Sequence, residues 1–164
     1  MAQVKVLGGI LLGAAVVISS FALFTVTERE KAVMFQLGEI VKTDFEPGLH
    51  VQTPFVNNVR KFDARIQTLD ADPERYLTGE KKNLIVDSFV KWRIKDVSNY
   101  YTATGGDAMR ANLRLSQITK DGLRAEFAKR TIKEAVSGER LEIMNIITAQ
   151  ANEQAEAFGI EIVD

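Results

Sequence analysis

An uncharged apolar segment near the N-terminus constrains this chain more than any other feature. The 21 residues from Val6 to Val26 contain no charged side chain. A helix of this length is about 31 Å long, which matches a hydrocarbon core about 30 Å thick. The sequence therefore predicts a short tail over residues 1–5, a transmembrane anchor over residues 6–26, and a remainder that lies outside the bilayer.

A cleaved signal peptide is the alternative interpretation of this segment. Lys5 would supply its positive start, and Ser20-Phe21-Ala22 has the small-x-small pattern of a cleavage site. The apolar run continues past that site to Val26, and its length favours an anchor. A mature chain that begins at Leu23 would contradict the anchor.

The direction of the anchor and its contacts are weakly encoded. Lys5 and the terminal amine precede it, and Arg29 and Lys31 follow it, so the positive-inside rule gives nearly equal weight to both directions. Gly9 and Gly13 form a G-x-x-x-G pattern that lets two membrane helices approach closely, but glycine is also common in membrane helices without such a contact. The anchor residues that we single out are Val6, Gly9, Gly13, Phe21, Phe24 and Val26.

The rest of the chain, roughly 140 residues, is long enough for one ordinary domain or two small lobes. The net charge of −1 excludes a global basic field of the kind that attracts nucleic acid. The chain contains no cysteine, which excludes disulfides and thiolate chemistry.

The first part of this remainder has strand-like patterns. Glu46-Pro47-Gly48 has the composition of a turn, and Pro54 interrupts the strand that follows it. In the clearest strand, Val90 and Trp92 share an apolar face that alternates with a partly charged one. The predicted strands cover residues 31–37, 40–43, 49–53, 59–69 and 84–94.

After residue 95 the apolar spacing becomes helical. Asp96 and Asp107 are predicted N-caps, Gly105-Gly106 separates the helices that they start, and Thr131 with Glu134 has the capping-box spacing. Predicted helices include one from Asp96, one over 108–129, a short one from Thr131 and one over 140–158, before a strand that starts at residue 160. Strands followed by helices predict an α+β fold with a strand-rich lobe over 27–80 and a second lobe over 81–164. We expect more polypeptide to follow in the natural protein, because the last strand has only begun to pair.

The sequence offers little catalytic chemistry. His50 is the only histidine, and no serine lies in a nucleophile-elbow motif. A hydrolase would have to use His50 as the base for Ser88 or Ser116. A turn histidine that bonds to nearby backbone is the simpler interpretation of His50.

Metal and phosphate sites are also poorly supported. The residues Asp70, Asp72 and Glu74 are acidic, but they lack the glycine and the spacing of a calcium-binding loop. No phosphate-binding glycine motif is present, and Glu80-Lys81-Lys82 is typical of a solvated loop. We therefore expect neither a metal nor a cofactor.

Two apolar sets have alternative roles. The helical stripe from Leu141 to Phe158 either binds a partner or, as is more usual, packs on its own sheet. The second set either rests on lipid headgroups as a membrane-proximal surface or packs against a neighbouring strand. Its members are Leu49, Val51, Pro54, Phe55 and Val56.

A series of motifs, in order and spacing, resembles the stomatin/prohibitin/flotillin/HflK-HflC (SPFH, band 7) superfamily and, within it, the HflC branch of bacterial inner-membrane proteins. The first is Glu46-Pro47-Gly48-Leu49-His50 followed by Pro54-Phe55. The others are residues 62–70 (FDARIQTLD), 81–87 (KKNLIVD), 92–96 (WRIKD), 100–101 (YY) and 104–106 (TGG). The resemblance covers nearly the whole chain, including the predicted anchor.

The resemblance implies a non-enzymatic scaffold with an SPFH domain and no catalytic residues. It implies an HflK-like sister subunit, a large hetero-oligomeric membrane assembly, and an FtsH-like AAA protease whose degradation of membrane proteins is modulated. It also implies an inner-membrane location with a cytoplasmic N-terminus and a periplasmic domain. Members of this branch continue into a long coiled-coil segment, so the sequence is similar to their anchor and SPFH portion.

Three functional hypotheses follow. The first is the protease-modulating scaffold, and the second is a membrane-tethered hydrolase that uses His50 with Ser88 or Ser116. The third is a stomatin-like protein that organises lipids without a protease client, and it shares its fold with the first.

Overall fold

The computed structural model describes residues 13, 22–43, 45–136 and 140–164. The chain divides into two compact units, one up to Asp63 and one from Ala64 onward. We expected the lobes to divide between residues 80 and 81. The observed division comes earlier because the long strand that starts at Gln67 pairs along its length with the next strand of the second unit.

The described residues of the first unit form five short strands, which are arranged in two sheets. They are β1 (Leu23–Val26), β2 (Glu30–Gln36), β3 (Glu39–Lys42), β4 (Gly48–Val51) and β5 (Asn57–Asp63). β1 pairs antiparallel with β4, and β2 lies between β3 and β5 in an antiparallel sheet. Buried side chains of this unit include Val26 and the β2 run from Ala32 to Phe35.

The predicted strand over residues 59–69 is wrong, because two strands occupy this region. β5 ends at Asp63, and β6 begins at Gln67 after a bend. β5 pairs with β2, whereas β6 pairs with a strand of the second unit. Apolar and polar residues alternate across the bend, so the local pattern does not reveal the change of partner.

The second unit combines one sheet with four helices. Its strands are β6 (Gln67–Leu77), β7 (Asn83–Ile94) and β8 (Ile160–Ile162), in the order β6-β7-β8, and both pairings are antiparallel. The helices are α1 (Val97–Thr104), α2 (Ala108–Phe127), α3 (Ile132–Val136) and α4 (Arg140–Glu156). The molecule contains both strands and helices, which confirms the predicted α+β class.

The central strand β7 has the two faces that its sequence predicts. Trp92 is completely buried, and Val90 and Ile94 are buried on the same face. The indole Nε1 of Trp92 donates to Asn112 Oδ1 of α2 at 3.0 Å. Phe89 is exposed on the opposite face, so one side of the sheet faces the helices and the other faces water.

The predicted helix starts are confirmed by their hydrogen bonds. Asp96 accepts from the backbone N–H of Ser98 at 2.8 Å, and Asp107 accepts from that of Met109 at 2.9 Å. Thr131 and Glu134 form a reciprocal capping box. These side chains satisfy N–H groups that a helix leaves unpaired at its start.

The stripe of α4 packs in the core, as the simpler interpretation predicted, with Ile147, Ala151 and Ala155 buried, but its first member differs. Leu141 is 77% exposed, whereas Ile143 is completely buried. Ile143 and Ile147 join Leu123 of α2 in the hydrophobic core. The prediction for Leu141 is therefore wrong, because the first turn of the helix directs Ile143, two residues later, toward α2 and the sheet instead.

Candidate functional site

Most of the predicted anchor lies outside the described residues, including Val6, Gly9 and Phe21. Gly13 is helical, and no other described atom lies within 4 Å of a Cβ built on it. In the part of the chain that the structure describes, no helix is both long and apolar enough to cross a membrane.

The last residues of the predicted anchor form a strand. Phe24 and Val26 belong to β1, where they pair with His50 and Gly48 of β4. The Val26 side chain is 1% exposed. The predicted boundary at Val26 is therefore wrong, because an uncharged run does not distinguish membrane-spanning residues from a buried strand that follows directly.

Three rings pack together between β1 and β4. The His50 ring centroid lies 5.5 Å from that of Phe24 and 5.0 Å from that of Phe45, and the two phenylalanine rings meet edge to face at 5.4 Å. Lys42 Nζ lies 4.9 Å from the centre of the Phe45 ring. Such contacts add to the stability gained from apolar burial, so the cluster holds the preceding turn against the two strands.

His50 makes the backbone contact that the simpler interpretation predicted. Its Nε2 lies 2.6 Å from the carbonyl oxygen of Glu46 in the same turn. The carbonyl accepts only, so this nitrogen donates and is not available as a base. Ser88 lies on the inner face of β7, and Ser116 is partly buried in α2. His50 belongs to the first unit and both serines belong to the second, and no observation supports a hydrolytic site.

The predicted membrane-proximal residues are mostly open to solvent. Leu49 and Val51 share the outward face of β4 and are exposed. Phe55 is 96% exposed, Val56 is exposed, and Pro54 is half-buried. Strand pairing within the first unit therefore leaves most of these apolar side chains exposed, and they do not pack against a neighbouring strand.

The sequence prediction did not include Leu37 among the exposed apolar residues of the first unit. Leu37, in the turn between β2 and β3, is 89% exposed. It adopts a left-handed backbone with φ 52°, next to Gly38 with φ 96°. The turn dipeptide Gly38-Glu39 was the available signal, because a large apolar residue beside a turn is rarely covered by its own sheet.

The acidic segment 70–74 is held by cations from a helix. Glu74 points toward α2, where Lys120 Nζ lies 2.9 Å from one carboxylate oxygen and Arg124 lies 3.6 Å from the other. The hydrogen bond and the charge of Glu74 raise the pKa of Lys120. Asp70 and Asp72 are exposed, and the described residues contain no group of three acidic or histidine side chains arranged around a metal site.

The charged loop between β6 and β7 is a structural turn. The N–H of Gly79 donates to the carbonyl of Arg130 at 2.9 Å, and a side chain at Gly79 would meet the carbonyl of Ala128 at 3.0 Å. Lys82 pairs with Glu80 at 3.2 Å, with both side chains largely exposed. This geometry fits the solvated loop predicted for these residues, docked on the end of α2.

Comparison with known proteins identifies relatives of this chain. The model of the SPFH domain / Band 7 family matches residues 24–164. Protein HflC of Haemophilus influenzae is 42% identical over 163 residues, which cover 92% of this chain and 54% of that protein. The Escherichia coli K12 protein called Modulator of FtsH protease HflC is 41% identical over 131 residues, or 76% of this chain and 39% of that protein.

A third relative extends the comparison to a more distant sequence. Protein HflC of Buchnera aphidicola (subspecies Schizaphis graminum) is 36% identical over 168 residues, which cover 90% of this chain and 55% of that protein. The chain therefore spans about half the length of the curated relatives that it matches.

Proposed function

Because the chain belongs to the SPFH domain / Band 7 family, we propose that it is part of a non-enzymatic membrane scaffold subunit of the HflC type. The observation that carries this proposal is the 42% identity to an HflC protein across 92% of the chain. The series of motifs from Glu46-Pro47-Gly48 to Thr104-Gly105-Gly106 supports it independently of overall identity.

The proposed activity is modulation of a membrane-bound AAA protease. The name of the Escherichia coli relative, a modulator of the FtsH protease, supports an FtsH-like partner. An HflK-like sister subunit completes the proposed hetero-oligomer, as the family resemblance implies.

The proposed setting is a bacterial inner membrane, with residues 6–22 as a single-pass anchor. The N-terminus would lie in the cytoplasm and the SPFH domain in the periplasm. Leu49, Val51, Phe55 and Val56 would then rest on lipid headgroups, with Pro54 shaping their turn. Their exposure supports this part of the proposal, because open apolar surface favours the interfacial layer of a bilayer over water.

A degradation assay tests the protease-modulating role. The natural full-length protein, its sister subunit and the AAA protease would be reconstituted together in vesicles with a membrane-embedded substrate. We expect the rate of substrate loss to change when the scaffold is included, with the protease's ATPase activity as a control for its integrity. An unchanged degradation rate at saturating scaffold would contradict modulation.

The same assay separates this proposal from a lipid-organising protein without a protease client. The exposed apolar surface of the first unit favours lipid contact under both functions. A scaffold that binds vesicles and assembles, but neither captures the protease nor alters its rate, would support the lipid-organising function instead.

A further inference from the structure

A small cavity of the second unit lies between its sheet and the helices α2 and α4. The cavity has a volume of about 60 Å³ and is partly open to solvent. Val90 of β7, Leu123 of α2 and Ile147 of α4 contribute to its apolar wall, and the exposed Asp164 borders it. The core of the second unit is therefore open at the place where β8 runs beside β7.

Thr119 brings an unpartnered hydroxyl to this cavity. Its side chain is only 8% exposed, yet Oγ1 has no hydrogen-bond partner among the described residues. A buried polar group without a partner reduces stability. The wall beside Val90 and Ile147 thus combines apolar side chains with a hydroxyl that nothing in the described part of the chain satisfies.

The cavity adjoins a part of β7 that is unpaired on one side. Lys91 directs its N–H and its carbonyl toward β8, where both form hydrogen bonds. Backbone groups alternate in direction along a strand, so those of Phe89 and Asp87 point to the same side. Among the described residues β8 pairs with β7 only from Lys91 to Ile94, which leaves the groups at Phe89 and Asp87 without a strand partner.

A free strand edge beside an apolar pocket has the geometry of a strand-addition site. Main-chain hydrogen bonds hold an added strand, and a pocket receives every second side chain. Folded proteins rarely leave a long edge open, because such an edge pairs with other chains. The edge from Asp87 to Phe89 and the cavity under it therefore favour one extended polypeptide as their occupant.

The end of β8 shows where such a strand would run. Val163 and Asp164 both donate from their N–H groups to the carbonyl of Lys91, so two residues lie opposite one in a β-bulge. Both side chains face away from the helices, since Val163 is 45% exposed and Asp164 Oδ2 lies 3.5 Å from Lys91 Nζ. Side chains alternate along a strand, so the next residue on this path would face the cavity opposite Val90.

We propose that the free edge of β7 and the adjacent cavity bind the segment that follows Asp164 in the natural full-length protein. The curated relatives are about twice as long as the part of them that this chain matches, so these relatives have such a segment. The segment extends β8 antiparallel to β7, past Phe89 toward Asp87. Its first residue places an apolar side chain in the cavity, and its second residue pairs with Phe89 on the outer face.

Continuity and size favour this occupant over a separate ligand. Asp164 is already bonded to Lys91, so the segment starts in register and pairs at a high effective concentration. The cavity is far smaller than the 300 Å³ or so at which pockets for drug-sized molecules begin. The inference is independent of the proposed protease partner, and it fixes the direction in which the following segment leaves the second unit.

A disulfide trap in the natural full-length protein tests the register. Hydrogen-bonded antiparallel partners have Cα atoms about 5.5 Å apart, which suits a disulfide. The first 164 residues contain no cysteine, and any cysteine in the following segment would be replaced by serine. Phe89→Cys would be combined with a cysteine at the second residue after Asp164 or, as the matched control, at the third, which faces the other side of the sheet.

We expect the second-residue variant to form an intramolecular disulfide under mild oxidation, with a much lower yield in the control. Equal yields in the two variants, or no disulfide in either, would overturn the proposed register. Peptide mapping without reduction identifies the linked residues.

Hydrogen exchange of the unmodified full-length protein provides a test that needs no variant. The N–H groups of Asp87 and Phe89 should exchange about as slowly as that of Val90, which points to β6 on the other side of β7. Much faster exchange at Asp87 and Phe89 than at Val90 would show an open edge and overturn the proposal.

Thr119→Val distinguishes an apolar occupant from water. Both side chains are branched at Cβ and similar in shape, so the change removes chiefly the hydroxyl. Beside an apolar side chain this hydroxyl has no partner, and its removal should raise the thermal midpoint of the full-length protein. A lowered midpoint would show that water or another polar group bonds to Thr119, which would contradict the proposed occupant.

Discussion

At the scale of single residues, Gly159 is the position with the least tolerance in the second unit. It has φ 69°, and a Cβ there would lie 2.0 Å from the carbonyl oxygen of Asp96 and 2.6 Å from the amide nitrogen of Tyr100. Its own carbonyl accepts from the N–H groups of Lys95 and Asp96. The residue therefore joins the end of α4 to the start of α1 through backbone contacts alone.

Gly159→Ala is expected to destabilise the protein by about 3 kcal/mol or more, because backbone atoms cannot move aside cheaply. Gly105→Ala is the matched control, since Gly105 also has φ 69° but its Cβ would meet only the flexible side chain of Arg110 at 3.6 Å. The control should lose about 1 kcal/mol from the left-handed conformation alone. Denaturant unfolding of both variants measures the difference, and equal losses would contradict the close approach.

Glu134 gives a residue-scale prediction about pH. Its carboxylate accepts from the N–H of Thr131, and this hydrogen bond lowers its pKa from the ordinary value of 4.5. The folded pKa is the lower one, so the bond contributes stability above about pH 4.5 that is lost as pH falls through the folded pKa. Glu134→Gln should therefore reduce the acid dependence of unfolding free energy between pH 6 and about pH 3. An identical dependence in both proteins would contradict the capping role.

Only part of the candidate site was predictable at this scale. The backbone contact of His50 followed from its place in a Pro-Gly turn, and the exposure of Phe55 agrees with the surface predicted for it. Leu37 was missed although the turn at Gly38-Glu39 was a local signal, because a turn does not by itself show whether the leucine beside it packs on its own sheet or stays exposed.

At the scale of elements, signals within a few residues predicted structure best. The caps at Asp96, Asp107 and Thr131 were predictable because their hydrogen bonds are local. The bend between Asp63 and Gln67 was not predictable, because apolar and polar residues continue to alternate across it. β5 and β6 are distinguished by the different strands with which they pair. The error at Leu141 in α4 has the same origin, since contacts with α2 bury Ile143 rather than Leu141.

The edge strand β8 supplies an element-scale prediction. The N–H of Ile162 donates to Asn152 Oδ1 of α4 at 2.9 Å, so a helix side chain satisfies a backbone group of the sheet edge. Asn152→Ala should destabilise the second unit by about 1 kcal/mol relative to Asn145→Ala, an exposed position on the same helix. Helix propensity changes equally in both variants, so the difference isolates the bond.

Hydrogen exchange locates this effect. The Ile162 amide should exchange faster in Asn152→Ala and at the parent rate in Asn145→Ala, because only the first variant removes its acceptor. Equal protection of Ile162 in all three proteins would show that the bond contributes nothing to the strand edge.

At the scale of the whole molecule, the N-terminus decides between the two interpretations of the apolar segment. Mass analysis of the natural protein isolated from membranes should find residues 6–22 still attached. A mature chain that starts at Leu23 would contradict the anchor.

The proposed scaffold function would belong to the assembled full-length protein rather than to either unit alone. SPFH membership of the chain and its identity to HflC proteins lead to one direct expectation. Detergent purification of the natural full-length protein at its native expression level should recover a large complex. This complex should contain an SPFH sister subunit and a membrane-bound AAA protease.

The composition of this complex is measured directly by determining the mass of the purified particle and identifying its subunits. The predicted result is a hetero-oligomer that retains both partners through size-exclusion chromatography. Recovery of the full-length protein as a clean monomer, under mild detergent conditions that preserve other membrane complexes of the same cells, would contradict the proposed scaffold.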